Sequence, residues 1–142
     1  MRLPIQWLIH LAWPSIVTAI LLWMAFFPVN LPWLGFVAFV PWLVSMAGQN
    51  GKQRILTSAI LGSVFFGIAL NWMRVADVRM IATWVMLGAW SALFYMILGW
   101  ILGLIFDRHR VLGMTVCFPF VLVPTEWMRS HALEGFPWYF LG

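Results

Sequence analysis

The chain has 142 residues, of which 64% are hydrophobic and only 8% charged, with a mean hydropathy of +0.96. That composition excludes an ordinary water-soluble domain, which needs far more polar surface to cover its core. The formal charge of +4 does not point to nucleic acid, because the eight Lys and Arg are scattered in short gaps between apolar runs and form no basic face.

Apolar runs long enough to cross about 30 Å of hydrocarbon predict an all-α membrane protein with a bundle of about five transmembrane helices. The first span covers 6–27; it must start upstream of Pro14, which either kinks the helix or lies at an interfacial turn. Arg2 and the apolar run after it resemble a signal peptide, but no small-x-small cleavage pattern follows before Pro28, so an uncleaved span is expected. Pro28 and Pro32 flank Asn30 and predict a tight turn, making a hairpin with a short second span over 31–47. The third, fourth and fifth spans are expected at 55–72, 80–106 and 111–127, the last holding Pro119 and Pro124.

Positive residues in short loops stay on the cytoplasmic side. With the N-terminus inside, the inner segments hold Arg2, Lys52, Arg54, Arg108 and Arg110, and the outer ones Arg74, Arg79 and Arg129. The bias favours a cytoplasmic N-terminus and a periplasmic C-terminus. Trp7, Trp33, Trp72, Trp84, Trp127 and Trp138 lie near span ends, where indole rings prefer the headgroup layer. Gly99 and Gly103 form a G-x-x-x-G pair, and Gly62 and Gly67 add small residues to the third span; both read as surfaces for close helix packing.

Chemistry-bearing residues are sparse. Cys117 is the only cysteine and sits between Val116 and Phe118, so it reads as a small buried hydrophobe. His10, His109 and His131 are too dispersed for a shared metal, and no metal or cofactor is expected. No nucleophile stands beside a base. Composition leaves one stretch unexplained: Thr125-Glu126-Trp127-Met128-Arg129, followed by Gly135-Phe136-Pro137-Trp138 and Leu141-Gly142. Glu126 and Arg129 are spaced i, i+3 and share a helical face if the fifth helix reaches them. Two readings stand side by side: a solvated ion pair at an interfacial helix end, or a functional acidic residue at the edge of hydrocarbon.

That stretch closely resembles the T-E-x-x-R and G-F-P-W-x-x-x-G signature of bacterial apolipoprotein N-acyltransferases. Phe27-Pro28-Val29-Asn30 with Pro32-Trp33 resembles the F-x-P turn after that family's first span, and the run from Gly67 to Asn71-Trp72 resembles the end of its third. The resemblance implies a multi-pass protein of the bacterial cytoplasmic (inner) membrane. It further implies an enzyme that moves an acyl chain from a phospholipid donor to the N-terminal diacylglyceryl-cysteine of a lipoprotein acceptor. The family's chemistry passes through a Cys thioester in a nitrilase-like domain with a Glu base and a Lys at the oxyanion. Residues 1–142 correspond to the N-terminal transmembrane domain, and the nitrilase-like domain lies outside them, so this chain alone is expected to be inactive. No catalytic residue is carried over, and Cys117, inside an apolar span without Lys or Glu beside it, does not replace the nucleophile. Glu126, Arg129, Phe136, Pro137 and Trp138 match the motif and become substrate-binding candidates, with Arg129 facing a phospholipid phosphate and Trp138 lining an acyl path. Two alternatives are a non-catalytic lipid-binding or partner-binding membrane subunit and, more distantly, a transporter fragment, for which mid-span polar residues are expected.

Overall fold

The computed structural model describes residues 5–26, 28–108, 113–132 and 139. Among these every regular element is helical. Helix α1 is Ile5–Ala25 and runs through Pro14. It ends where Asn30 takes a left-handed conformation (φ 58°), which Asn tolerates better than most side chains, and the Leu31 amide turns back to the Met24 carbonyl at 3.0 Å. The proline-flanked turn expected there is present.

The second element differs from the expected 31–47 helix. A 3-10 turn, Pro32–Phe36, leads through residues 37–39 into a seven-residue helix α2, Val40–Met46. Two prolines explain the break: each lacks an amide proton and each sits in the first turn of its own short element, so the segment starts twice rather than once. Trp42 pins α2 to α1, its amide donating to Thr18 Oγ1 at 3.2 Å, and its ring packs among Phe39 and Phe118.

Helix α3, Gly51–Ala69, begins four residues before the expected span, because Asn50 and Gln53 form a reciprocal capping box (3.0 and 2.8 Å) that nucleates the helix at Gly51. Lys52 and Arg54, expected in a loop, are therefore in its first turns. After a bend at Leu70 the chain continues as α4, Asn71–Ala76, beyond the expected end at 72, so Arg74 is helical. Asp77 caps a 3-10 turn, Val78–Met80, and α5, Ile81–Phe106, follows almost as expected. A π-turn, Gly113–Cys117, opens into α6, Phe118–His131. Pro119 sits in its first turn, where a missing amide proton costs nothing, and the helix passes the expected end at 127 to include both Glu126 and Arg129.

Gly51–Ala76 and Val78–Phe106 are long and apolar enough to cross a membrane; Ile9–Ala25 and Pro32–Met46 are apolar but shorter. The exterior carries Phe36, Val75, Met86, Phe120 and Trp127 exposed, an outer surface suited to lipid. The core runs along the α3–α5 seam, with Leu22, Trp42, Leu61, Phe65, Phe66, Leu98 and Leu102 buried.

The glycines explain that seam. A Cβ at Gly62 would lie 2.8 Å from the Ala92 backbone, and one at Gly99 would lie 2.8 Å from Ser58 Cβ and overlap Ser58 Oγ. The small-residue surfaces read in the sequence thus fall where α3 and α5 approach most closely, except at Gly67, where a Cβ would meet open space.

Candidate functional site

The i, i+3 spacing on α6 places Glu126 and Arg129 on one face, and Leu122 and Thr125 are buried on that face with them. Both charged residues are buried: Glu126 is 8% exposed and Arg129 only 1%. A solvated ion pair at a helix end is thereby excluded, because ions withdrawn to this extent must be compensated by their surroundings. Part of the compensation is visible. The Arg129 guanidinium lies 5.0 Å over the ring of fully buried Phe66 on α3, a desolvated cation–π contact, and Tyr95 of α5 is within electrostatic reach of both Glu126 and Arg129. Three helices therefore contribute to one buried polar cluster.

Phe66 belongs to a run of rings. It meets Phe65 edge-on at 4.8 Å and Tyr95 at 5.8 Å, and Phe65 in turn meets Tyr139 at 6.2 Å; Tyr139 also packs edge-on to Phe26 at 5.2 Å. Tyr139 takes a positive φ of 62°, and its hydroxyl donates to the Ala69 carbonyl at 2.8 Å, covering a backbone acceptor at the end of α3. Partial burial pushes its phenol above the ordinary tyrosine value against an opposing hydrogen bond with Trp72. Beside it lies a cavity of about 720 Å³ lined by Trp23, Pro28, Ile68, Asn71, Trp72 and Tyr139. A smaller recess of about 250 Å³ opens between α3 and α5 at Ser63, Gly67, Trp84 and Gly88. There the Trp84 indole donates to the Gly67 carbonyl at 3.1 Å and Arg74 sits 5.4 Å over the indole.

Of the five candidates from the sequence, the structure brings Glu126 and Arg129 together; Phe136, Pro137 and Trp138 lie outside the described residues. Cys117 is a free thiol, partly exposed rather than buried.

Sequence reasoning missed a second polar centre. Arg54 is 5% exposed; its Nε donates to the Met46 carbonyl (3.1 Å) and its Nη1 to the Gly103 carbonyl (2.9 Å) and to Asp107 Oδ1 (2.8 Å). One guanidinium thus closes the C-terminal ends of α2 and α5 while growing from α3. Next to it Thr57 donates to Gln49 Oε1 at 2.9 Å, and the Gln49 amide reaches Ser45 Oγ at 3.3 Å. Asn50-x-x-Gln53 was the available signal, since a capping box starting the helix at 51 puts Arg54 inside it.

Fold and site define a class: a helical domain with membrane-capable helices, an apolar exterior, and buried Glu126 and Arg129 on one helix face, the arginine over the Phe66 ring. Residues 18–142 match the model of the apolipoprotein N-acyltransferase N-terminal domain, and the chain belongs to that family. An apolipoprotein N-acyltransferase of Vibrio cholerae serotype O1 is 23% identical over 108 residues, covering 70% of this chain and 21% of the relative. One of Vibrio vulnificus is 23% identical over 127 residues, covering 77% of this chain and 25% of the relative. The chain therefore spans about a quarter or less of the length of these curated relatives. No solved structure matches it.

Proposed function

We propose that the chain is the membrane part of an enzyme that transfers an acyl chain from a phospholipid to the N-terminal diacylglyceryl-cysteine of lipoproteins, in a bacterial inner membrane that it crosses several times. The observation that carries this reading is the burial of Glu126 and Arg129 within a chain of that family: a charged pair sequestered among aromatic rings is costly and is expected where function requires it. In this reading the N-terminus is cytoplasmic and the cluster of Glu126, Arg129 and Tyr95 lies toward the periplasmic side. Phe136, Pro137 and Trp138 complete the donor site. Arg129, seated on Phe66, holds the end of α6 in place and supplies positive potential beneath the headgroup phosphate, while Trp138 lines the acyl path.

A polypeptide limited to these residues holds no activated nucleophile among those described, so by itself it is expected to bind phospholipid without turning it over. The test uses the whole protein in lipid nanodiscs with a phospholipid carrying a labelled acyl chain and a diacylglyceryl-cysteine peptide. Label on the peptide α-amine is the expected result, reduced on the order of tenfold by Arg129→Ala, the scale of a lost charge-assisted contact. Absence of transfer by the unsubstituted protein would leave the lipid-binding subunit in its place. Unchanged acylation by Arg129→Ala would remove Arg129 from the donor site.

A further inference from the structure

We infer that the adjacent residues Phe65 and Phe66 of α3 form a two-sided aromatic platform that positions both ends of the C-terminal motif, and are thus positioning residues for the proposed donor site. This rests on the acyltransferase reading above. The motif begins on α6 with Glu126 and Arg129, and Tyr139 immediately follows its Gly-Phe-Pro-Trp run. The two described ends are held by neighbouring rings: Arg129 stacks on Phe66 at 5.0 Å, and Tyr139 meets Phe65 edge-on at 6.2 Å.

Successive residues of a helix point about 100° apart, so one dipeptide can address two directions at once. Phe66 presents its face to α6, whereas Phe65 packs tilted against Phe26 and nearly perpendicular to Tyr139. Both rings are essentially inaccessible, 0% and 1% exposed, and each is braced by Tyr95, at 5.8 Å and 6.4 Å. Gly62, one turn earlier on α3, makes the brace possible: its missing side chain lets α5 approach until the Tyr95 Cβ would lie 3.1 Å from a Gly62 Cβ. The Tyr139 hydroxyl, bonded to the Ala69 carbonyl one turn beyond Phe65, fastens the second end to the same helix. Arg129 and Tyr139 are therefore both anchored to α3.

A purely space-filling role and a positioning role differ in what they require of the ring. Filling needs volume; holding a guanidinium needs the negative face of the π system. Phenylalanine at 66 is replaced by its mono-, di- and trifluorinated analogues, which keep the shape while draining that face. The whole protein in nanodiscs is then read for thermal midpoint and for the KM and kcat of acyl transfer from phospholipid. The platform predicts a midpoint that falls stepwise with fluorine content, and a donor KM that rises on the order of tenfold across the series with kcat little changed, the size of a desolvated cation–π contact. In an Arg129→Met background the same series should leave the midpoint flat. Phe65→Leu should raise donor KM as well, by releasing Tyr139.

A midpoint insensitive to fluorination, or equally sensitive without Arg129, overturns the platform. A midpoint that responds while donor KM does not reduces the contact to structure and overturns the positioning role. Absence of any transfer by the unsubstituted protein is a different failure: it removes the acyltransferase reading and the positioning role with it, while the midpoint series still reports whether Phe66 holds Arg129.

Discussion

Two arginines are buried among the described residues, and different neighbours face them. Arg54 is surrounded by acceptors, two helix-terminal carbonyls and the Asp107 carboxylate. Arg129 has the Phe66 ring beneath it and Glu126 and Tyr95 in electrostatic reach. A guanidinium whose donors end on backbone carbonyls of two other helices is a fastener, since it ties the ends of those helices to its own. A guanidinium set on an aromatic face keeps more of its field available to a neighbouring anion.

The comparison can be broken at several points. Arg54→Met should have the largest effect, costing about 3 kcal/mol or more of stability by removing the buried cation that ties Met46, Gly103 and Asp107 to α3, measured as unfolding in nanodiscs. Arg129→Met should cost less stability than Arg54→Met but remove most phospholipid use; the reverse order would mean that the two roles have been assigned to the wrong arginines. Gly99→Ala should cost about 1–3 kcal/mol, because its Cβ would crowd Ser58, and Ser58→Ala should recover part of the loss. Arg54→Lys keeps the charge but not the planar fork that reaches both helix ends, so an intermediate loss is expected in the same unfolding measurement. Asp107→Asn should change least, within about 1 kcal/mol, since the Asp107 side chain is 67% exposed and the carbonyls still hold Arg54. A large loss there would show that the carboxylate, not the helix ends, carries the fastener.

Much of this was legible in the residues. The turn at Asn30, the α5 boundaries and the i, i+3 relation of Glu126 and Arg129 follow from proline placement, apolar run length and helical period. The second span was misread because a run of apolar residues gives length without showing that Pro32 and Pro41 each open a separate element. Arg54 was placed in a loop because a charge beside Lys52 and Gly51 reads as an interhelical gap until the Asn50–Gln53 cap is counted. The candidate site was legible as a motif and a shared face, but not as a buried cluster, because its compensating groups, Phe66 and Tyr95, come from other helices.

What the sequence by itself determined is the helical class, the apolar exterior and the residues to watch on α6, since hydrophobic run length and i, i+3 spacing are local properties of the chain. Only the tertiary structure decided that Arg129 is buried on Phe66, that Arg54 closes two helices, and that Phe65 and Phe66 hold Arg129 and Tyr139 from one side. Those facts depend on how closely α3 and α5 approach at Gly62 and Gly99, and the distance between two helices is set by side chains far apart in the chain, which no local pattern records.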